Sequence, residues 1–140
     1  MDRAGGFTLF EVVAGLALAA TVTGISVARA PALVGPVRLT GAAERLAAAL
    51  RQARGQALAR NRQVEVRFDP PRRAWSLHET GGPALEVHSL PTGIGFSSLP
   101  SSGRVRFGTT GGADNATVVL ASGTRTRRVV VNQRGRVQIQ

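Results

Sequence analysis

The chain begins with a long apolar run that carries a single charge. Between Phe7 and Ala28 most residues are apolar, and Glu11 is the only residue with a formal charge. As a helix rising roughly 1.5 Å per residue, this run reaches about 33 Å, the thickness of the hydrocarbon core of a bilayer. The pattern therefore predicts a membrane-spanning helix over residues 7–29.

A second helical pattern follows in residues 37–61, where apolar residues recur at spacings of three and four, as in a helix with one buried face. The positions of this stripe are Leu39, Ala43, Leu46, Leu50, Ala53 and Ala57. Pro31 and Pro36 precede the stripe, and each removes an intrahelical hydrogen bond. We therefore expect a kink or a short unwound link between residues 30 and 37, and residues 30–61 are predicted to be a linker and an amphipathic helix.

After Asn61 the pattern changes to short alternating runs separated by turn residues. The predicted strands are Gln63–Phe68, Ala74–Glu79, Ala84–Leu90, Ile94–Leu99, Arg104–Phe107, Thr117–Ala121, Arg125–Val131 and Arg136–Ile139. Strands in succession with no helix between them indicate antiparallel sheets packed face to face. We predict an α+β fold in which a long N-terminal helix packs on a small antiparallel β-sandwich formed by residues 62–140.

Glu11 lacks a counterion within its own segment, since no Lys, Arg or His occurs from Thr8 to Ala28. A carboxylate in the middle of a bilayer costs on the order of 2.5–3.5 kcal/mol, and less near the interface. We infer that the compensating positive charge comes from outside this helix, either from the same chain or from another.

The segment Gly6-Phe7-Thr8-Leu9-Phe10-Glu11, followed by an apolar helix, resembles the N-terminus of the type IV prepilin family, which includes the pseudopilins of type II secretion. The resemblance implies that residues 1–6 are a leader and that prepilin peptidase cuts between Gly6 and Phe7. It also implies that Phe7 becomes an N-methylated N-terminus, whose amine meets Glu11 of a neighbouring subunit during filament assembly.

Two other interpretations compete for the N-terminus. One is a secretory signal peptide, with Arg3 as its charged region and Ala28-Arg29-Ala30 as its cleavage site. Against it, Glu11 interrupts the apolar core, and the run is longer than the usual core of about 7–15 residues. The other is an ordinary single-span anchor. The motif and the length together favour the prepilin interpretation.

No catalytic constellation is found in the rest of the sequence. Cysteine is absent, so the domain would fold without disulfides. His78 and His88 lie in separate predicted strands, and neither has a nucleophile motif such as Gly-x-Ser-x-Gly beside it. We expect no catalytic residues, no metal site and no cofactor, and therefore no enzyme.

The net charge of +10 arises from 18 basic residues, all of them arginine, and it is concentrated in residues 29–61 and 103–140. The arginines of the last predicted hairpin are Arg125, Arg127, Arg128, Arg134 and Arg136. Such a group could neutralise the phosphates of a nucleic acid, or it could face solvent, anionic lipid headgroups or acidic partners. Strand alternation separates Arg125 and Arg127 from Arg128, which favours the second interpretation.

The helix from Leu46 to Asn61 and the closing Asn132-x-x-Gly135-Arg136-Val137 resemble the GspH/FimT subfamily of minor pilins and pseudopilins. For the H type, the resemblance implies a minor subunit of the periplasmic pseudopilus that drives folded proteins through an outer-membrane secretin. Its partners would be other pseudopilins, prepilin peptidase and an inner-membrane assembly platform. The chain would cross the inner membrane once and place its C-terminal domain in the periplasm.

The FimT type implies a different function. These proteins act in type IV pili, and some bind DNA for uptake through a C-terminal Gly-Arg-x-Arg. This chain has Gly135-Arg136-Val137-Gln138, which lacks the last arginine. Neighbouring arginines could replace it electrostatically, so DNA binding remains the alternative to secretion.

Overall fold

The computed structural model describes the backbone of residues 8–140 and the side chains of residues 8–20 and 35–140. Gly6 and Phe7 lie outside the described residues, as do the side chains of residues 21–34. The chain divides into two compact units, residues 1–34 and residues 35–140.

One helix and eight strands make up the described chain. Helix α1 spans Leu9–Arg60, and the strands are β1 Val64–Asp69, β2 Ala74–Glu79, β3 Ala84–Ser89, β4 Gly95–Ser98, β5 Arg104–Phe107, β6 Ala116–Ser122, β7 Arg125–Val131 and β8 Val137–Ile139. Every predicted strand is present, with its ends within one residue of the prediction. The alternating pattern was a sufficient guide because each strand buries one face.

Of the kink or unwound link expected between residues 30 and 37, the unwound link is wrong, because the helical bounds of α1 run through it. A proline removes only one backbone donor, and the turns before and after it keep their hydrogen bonds, so a helix can continue past it. The predicted span over residues 7–29 falls partly on side chains outside the described residues. In the part that the structure describes, no helix has the length and hydropathy of a membrane span.

The strands form two four-stranded sheets, and every pairing is antiparallel. The first sheet has the order β3-β2-β1-β5 and the second has the order β4-β6-β7-β8. The structure thus has the predicted α+β architecture of a helix with antiparallel sheets. β5 pairs with β1 at the edge of the first sheet, although the chain between them includes β4, which belongs to the second sheet.

The core lies between α1 and the two sheets. All six residues of the predicted helical stripe are buried, with Leu39 the most exposed at 3%. The strands add Val66 and Leu77 from the first sheet and Val118 and Val129 from the second. The core residues that the structure describes all lie between Leu39 and Val137, so residues 35–140 carry this core without the N-terminal segment.

The C-terminus of α1 is closed by a backbone motif and by an ion-pair cluster. Asn61 has a φ of 49°, and the N–H of Arg62 donates to the carbonyl oxygen of Ala57 at 3.2 Å, as in a Schellman cap. Beside it, Arg60 Nη1 lies 2.8 Å from Glu79 Oε1, and Arg62 Nη1 lies 3.2 Å from Glu79 Oε2. The hydrogen bond from Arg60 and the second from Arg62 hold the pKa of Glu79 below its usual value.

Candidate assembly and anion-binding surfaces

Glu11 lies in the first turn of α1. The N–H of Glu11 donates to the carbonyl oxygen of Thr8 at 3.0 Å and to Thr8 Oγ1 at 3.3 Å, so Thr8 is the N-cap residue. Leu9 and Phe10 are each 82% exposed beside it. The Glu11 carboxylate is exposed too, and it has no ion-pair partner among the described side chains.

The sequence analysis did not identify Thr8 as the N-cap residue, although a signal for it is present. Thr8 and Glu11 have the Thr-x-x-Glu spacing of a capping box, and an acid in the first helical turn is also favoured by the helix dipole. The negative charge of Glu11 is therefore favoured at its place in the first turn of the helix.

The start of β7 and the β7–β8 turn lie near different turns of the second half of α1. At one end, Arg125 and Arg127 line a cleft together with Pro36, Leu39 and Thr40. These two arginines follow the same alternation as Val129 and Val131, so they lie on the inner face of the second sheet. Arg128 lies on the opposite face, as predicted.

At the other end of the hairpin, the β7–β8 turn packs on a later turn of α1. Arg54 Nε donates to the carbonyl oxygen of Gly111 at 3.0 Å, and Gly135 lies against both residues. Gly111 belongs to the loop between β5 and β6. In the same loop, the N–H of Ala113 donates to the carbonyl oxygen of Gln133 in the β7–β8 turn at 3.0 Å. Arg134 and Arg136 belong to this end.

Four of the five arginines of the last hairpin therefore form two groups instead of one cluster. We name Arg125 and Arg127 the basal pair, and Arg134 and Arg136 the distal pair. The turns of α1 that they accompany, around Leu39 and Arg54, are about 22 Å apart along the helix axis. The two pairs are close in sequence, but β7 lies between them and separates them in space.

The distal pair is presented by an ordered turn. Asn132 Oδ1 accepts hydrogen bonds from the N–H groups of Arg134 at 3.1 Å and Arg136 at 2.9 Å. Both arginine side chains are exposed, and with Asn115 and Gln133 they line a shallow concavity. Neither has an ion-pair partner among the described residues, so both charges are available to an anion.

Three other arginines have a structural role that the sequence analysis did not identify. Glu65 is 1% exposed on the outer side of the first sheet, and Arg67 Nε donates to its Oε1 at 2.6 Å. Arg104 Nη1 and Arg106 Nε lie 3.7 Å and 3.9 Å from its Oε2. The signal was the register, because Glu65 pairs with Arg106 and Arg67 pairs with Arg104.

The two histidines lie in separate environments. The ring of His88 stacks on Trp75 with centroids 5.6 Å apart, and its Nε2 lies 3.2 Å from Glu86 Oε2. His78 Nε2 shares a hydrogen bond of 2.9 Å with Ser76 Oγ. Within the described residues, no three side chains that bind metals come together.

A long helix that begins with apolar residues and packs its second half on two antiparallel sheets is the architecture of the type IV pilin-like class. Within this class, the family described as Type II transport protein GspH matches residues 42–135, more than half of the chain. The chain belongs to this family. A search of curated protein sequences finds no significant match.

Solved structures show the same fold at low sequence identity. The type IV minor pilin FimU of Pseudomonas aeruginosa matches with a TM-score of 0.62 and 22% identity, over 73% of this chain and 92% of that chain. The minor pseudopilin EpsH from the type 2 secretion system of Vibrio cholerae matches with a TM-score of 0.61 and 14% identity, over 74% of this chain and 96% of that chain. The chain is thus a pilin-like protein of the GspH/FimT type.

Proposed function

We propose that the chain is a minor pseudopilin subunit of a type II secretion pseudopilus. Prepilin peptidase removes residues 1–6, and Phe7 becomes the methylated N-terminus. Residues 7–29 anchor the subunit in the inner membrane, with the rest of the chain in the periplasm. The subunit joins other pseudopilins through an inner-membrane assembly platform and acts as a structural part of the filament, without catalysis.

The observation that carries this proposal is the exposed Glu11 in the first turn of α1, with no partner among the described side chains. Cleavage after Gly6 creates an ammonium group at Phe7. The carboxylate of one subunit and the ammonium of its neighbour are then an ion pair that desolvation makes specific for register. The family match supports the proposal, because it covers most of the domain that follows.

The test compares two variants that each remove one acid from α1. Glu11→Gln keeps the size of the side chain but removes its charge, and Glu44→Gln removes an exposed acid from a later turn. We expect both variants to be processed and inserted. Only Glu11→Gln should lose co-purification with sheared filaments, by about tenfold or more if the ion pair contributes over about 1.4 kcal/mol. Equal incorporation of both variants would contradict the role of Glu11.

The alternative is a FimT-type minor pilin that binds DNA for uptake. The distal pair favours it, since two exposed arginines beside Asn115 and Gln133 form an unpaired basic concavity. In a gel shift with duplex DNA at low salt, Arg134→Ala/Arg136→Ala should weaken binding. The slope of log K against log salt concentration should become shallower by roughly 1.8, because two phosphate contacts are lost. A wild-type domain that gives no shift removes this alternative.

A further inference from the structure

The basal pair occupies positions where a strand would ordinarily carry core residues. Arg127 pairs with Leu120, which is fully buried on the inner face of the second sheet. Arg125 and Arg127 continue that face beyond the core and are themselves exposed. Neither has an ion-pair partner among the residues that the structure describes. Two charges thus stand at the rim of the core with no partner inside the domain.

Further residues complete an amphipathic surface at this end of residues 35–140. Arg38 is exposed in the same turn of α1 as Pro36, which lines the cleft beside the basal pair. Val37 is 71% exposed in that turn. Glu44 lines an adjoining cleft with Val37. The two clefts are thus lined by two arginines and one acid, so positive charge remains in excess.

We propose that this basal surface, formed by Arg38, Arg125, Arg127 and Val37, binds the anionic phospholipid headgroups of the membrane in which the subunit is anchored. The inference rests on the proposed function for the presence of that membrane. Guanidinium groups pair with lipid phosphates, while an exposed apolar side chain at the same end of the domain can enter the interface. The contact fixes which end of the domain faces the bilayer.

The position of this surface in the chain favours lipid headgroups as its ligand. Seven residues after the predicted span ends at residue 29, the chain reaches Pro36, and seven residues extend to at most about 25 Å. The basal surface is therefore tethered close to the headgroups. The distal pair is about 22 Å further along the axis of α1, beyond the range at which a membrane surface attracts charge at physiological salt.

The experiment uses residues 35–140, which carry the described core and lack the apolar run, so that any vesicle binding comes from the domain itself. Co-sedimentation is measured with vesicles of phosphatidylcholine containing about 30 mol% phosphatidylglycerol, and with pure phosphatidylcholine. Two matched variants each remove two arginines from the same hairpin. They are Arg125→Ala/Arg127→Ala and Arg134→Ala/Arg136→Ala.

We expect the wild-type domain to bind the anionic vesicles and not the neutral ones. An arginine near an anionic surface contributes roughly fivefold in affinity, so the basal variant should bind about 30-fold more weakly and the distal variant less than about threefold. Thermal melts of the three proteins check that each remains folded.

Equal losses in the two variants would overturn the proposal, because they would indicate attraction to net charge alone. Absence of wild-type binding would overturn it as well. If the basal variant kept its vesicle binding and lost a duplex DNA shift, the surface would bind nucleic acid instead of lipid, which would also overturn the proposal. The filament test of Glu11 is independent of this fragment, so the two proposals can fail separately.

Discussion

The backbone at Gly135 leaves no room for a side chain, because a Cβ there would collide with the carbonyl oxygen of Gly111. It would also lie 2.8 Å from Arg54 Nε, which donates to that same carbonyl oxygen. Gly135 has a φ of 72° and Gly111 has a φ of 79°. Two left-handed glycines and one helical arginine thus join the β7–β8 turn, the loop after β5 and α1 at one point.

Gly135→Ala should therefore destabilise residues 35–140 strongly. The left-handed conformation alone costs an alanine roughly 1–2 kcal/mol, and the collision with backbone adds to that cost. The matched control is Gly123→Ala, since Gly123 has a φ of 59° but open space around its Cα. Urea unfolding followed by the fluorescence of the single tryptophan, Trp75, should show a loss at least about 1 kcal/mol larger for Gly135→Ala. Equal losses would mean that the contact with Gly111 is unimportant.

Removing the buried charge of Glu65 should also destabilise the domain. Glu65→Gln preserves the shape of the side chain but leaves Arg67, Arg104 and Arg106 without their common counterion. Since these arginines are partly exposed and can turn to water, we expect a loss of about 1–3 kcal/mol, below the cost of breaking a fully buried pair. Glu44→Gln, at an exposed acid, should change the free energy of unfolding by less than about 0.5 kcal/mol. An unchanged free energy of unfolding in Glu65→Gln would contradict a stabilising role of this carboxylate.

The ion pairs of Glu79 predict an acid-dependent stability. Its pKa is lowered in the folded state, first by the hydrogen bond from Arg60 and then by Arg62. A carboxyl group with a depressed pKa stabilises the fold above its unfolded value and loses that contribution as the pH falls through the folded value. The difference in melting temperature between the wild type and Glu79→Gln should therefore be largest near pH 7 and shrink on acidification from about pH 5 to about pH 3. A difference that stays constant or grows in acid would contradict the assignment.

The strands and the buried stripe of α1 could be predicted because one residue pattern determines them locally. Val64, Val66 and Phe68 alternate with polar residues, and the same three are buried in β1. The continuity of α1 through Pro36 could not be predicted, because local preference argued for a break that the rest of the helix overrides.

The surfaces were harder to predict than the fold. Whether Arg104 and Arg106 face solvent or a buried carboxylate depends on pairing with β1, which lies far away in sequence. The separation of the basal pair from the distal pair depends on how β7 lies along α1. Both features depend on tertiary structure, and the composition of the sequence does not distinguish these arginines from one another.

We propose that this chain becomes a filament subunit only after cleavage exposes an amine at Phe7 for Glu11 of a neighbour. Intact-mass and N-terminal peptide spectrometry of the native membrane protein tests it most directly. We expect a mature chain that begins at an N-methylated Phe7. A chain that still begins at Met1, or one that begins at Pro31 after cleavage of a secretory signal, would contradict it.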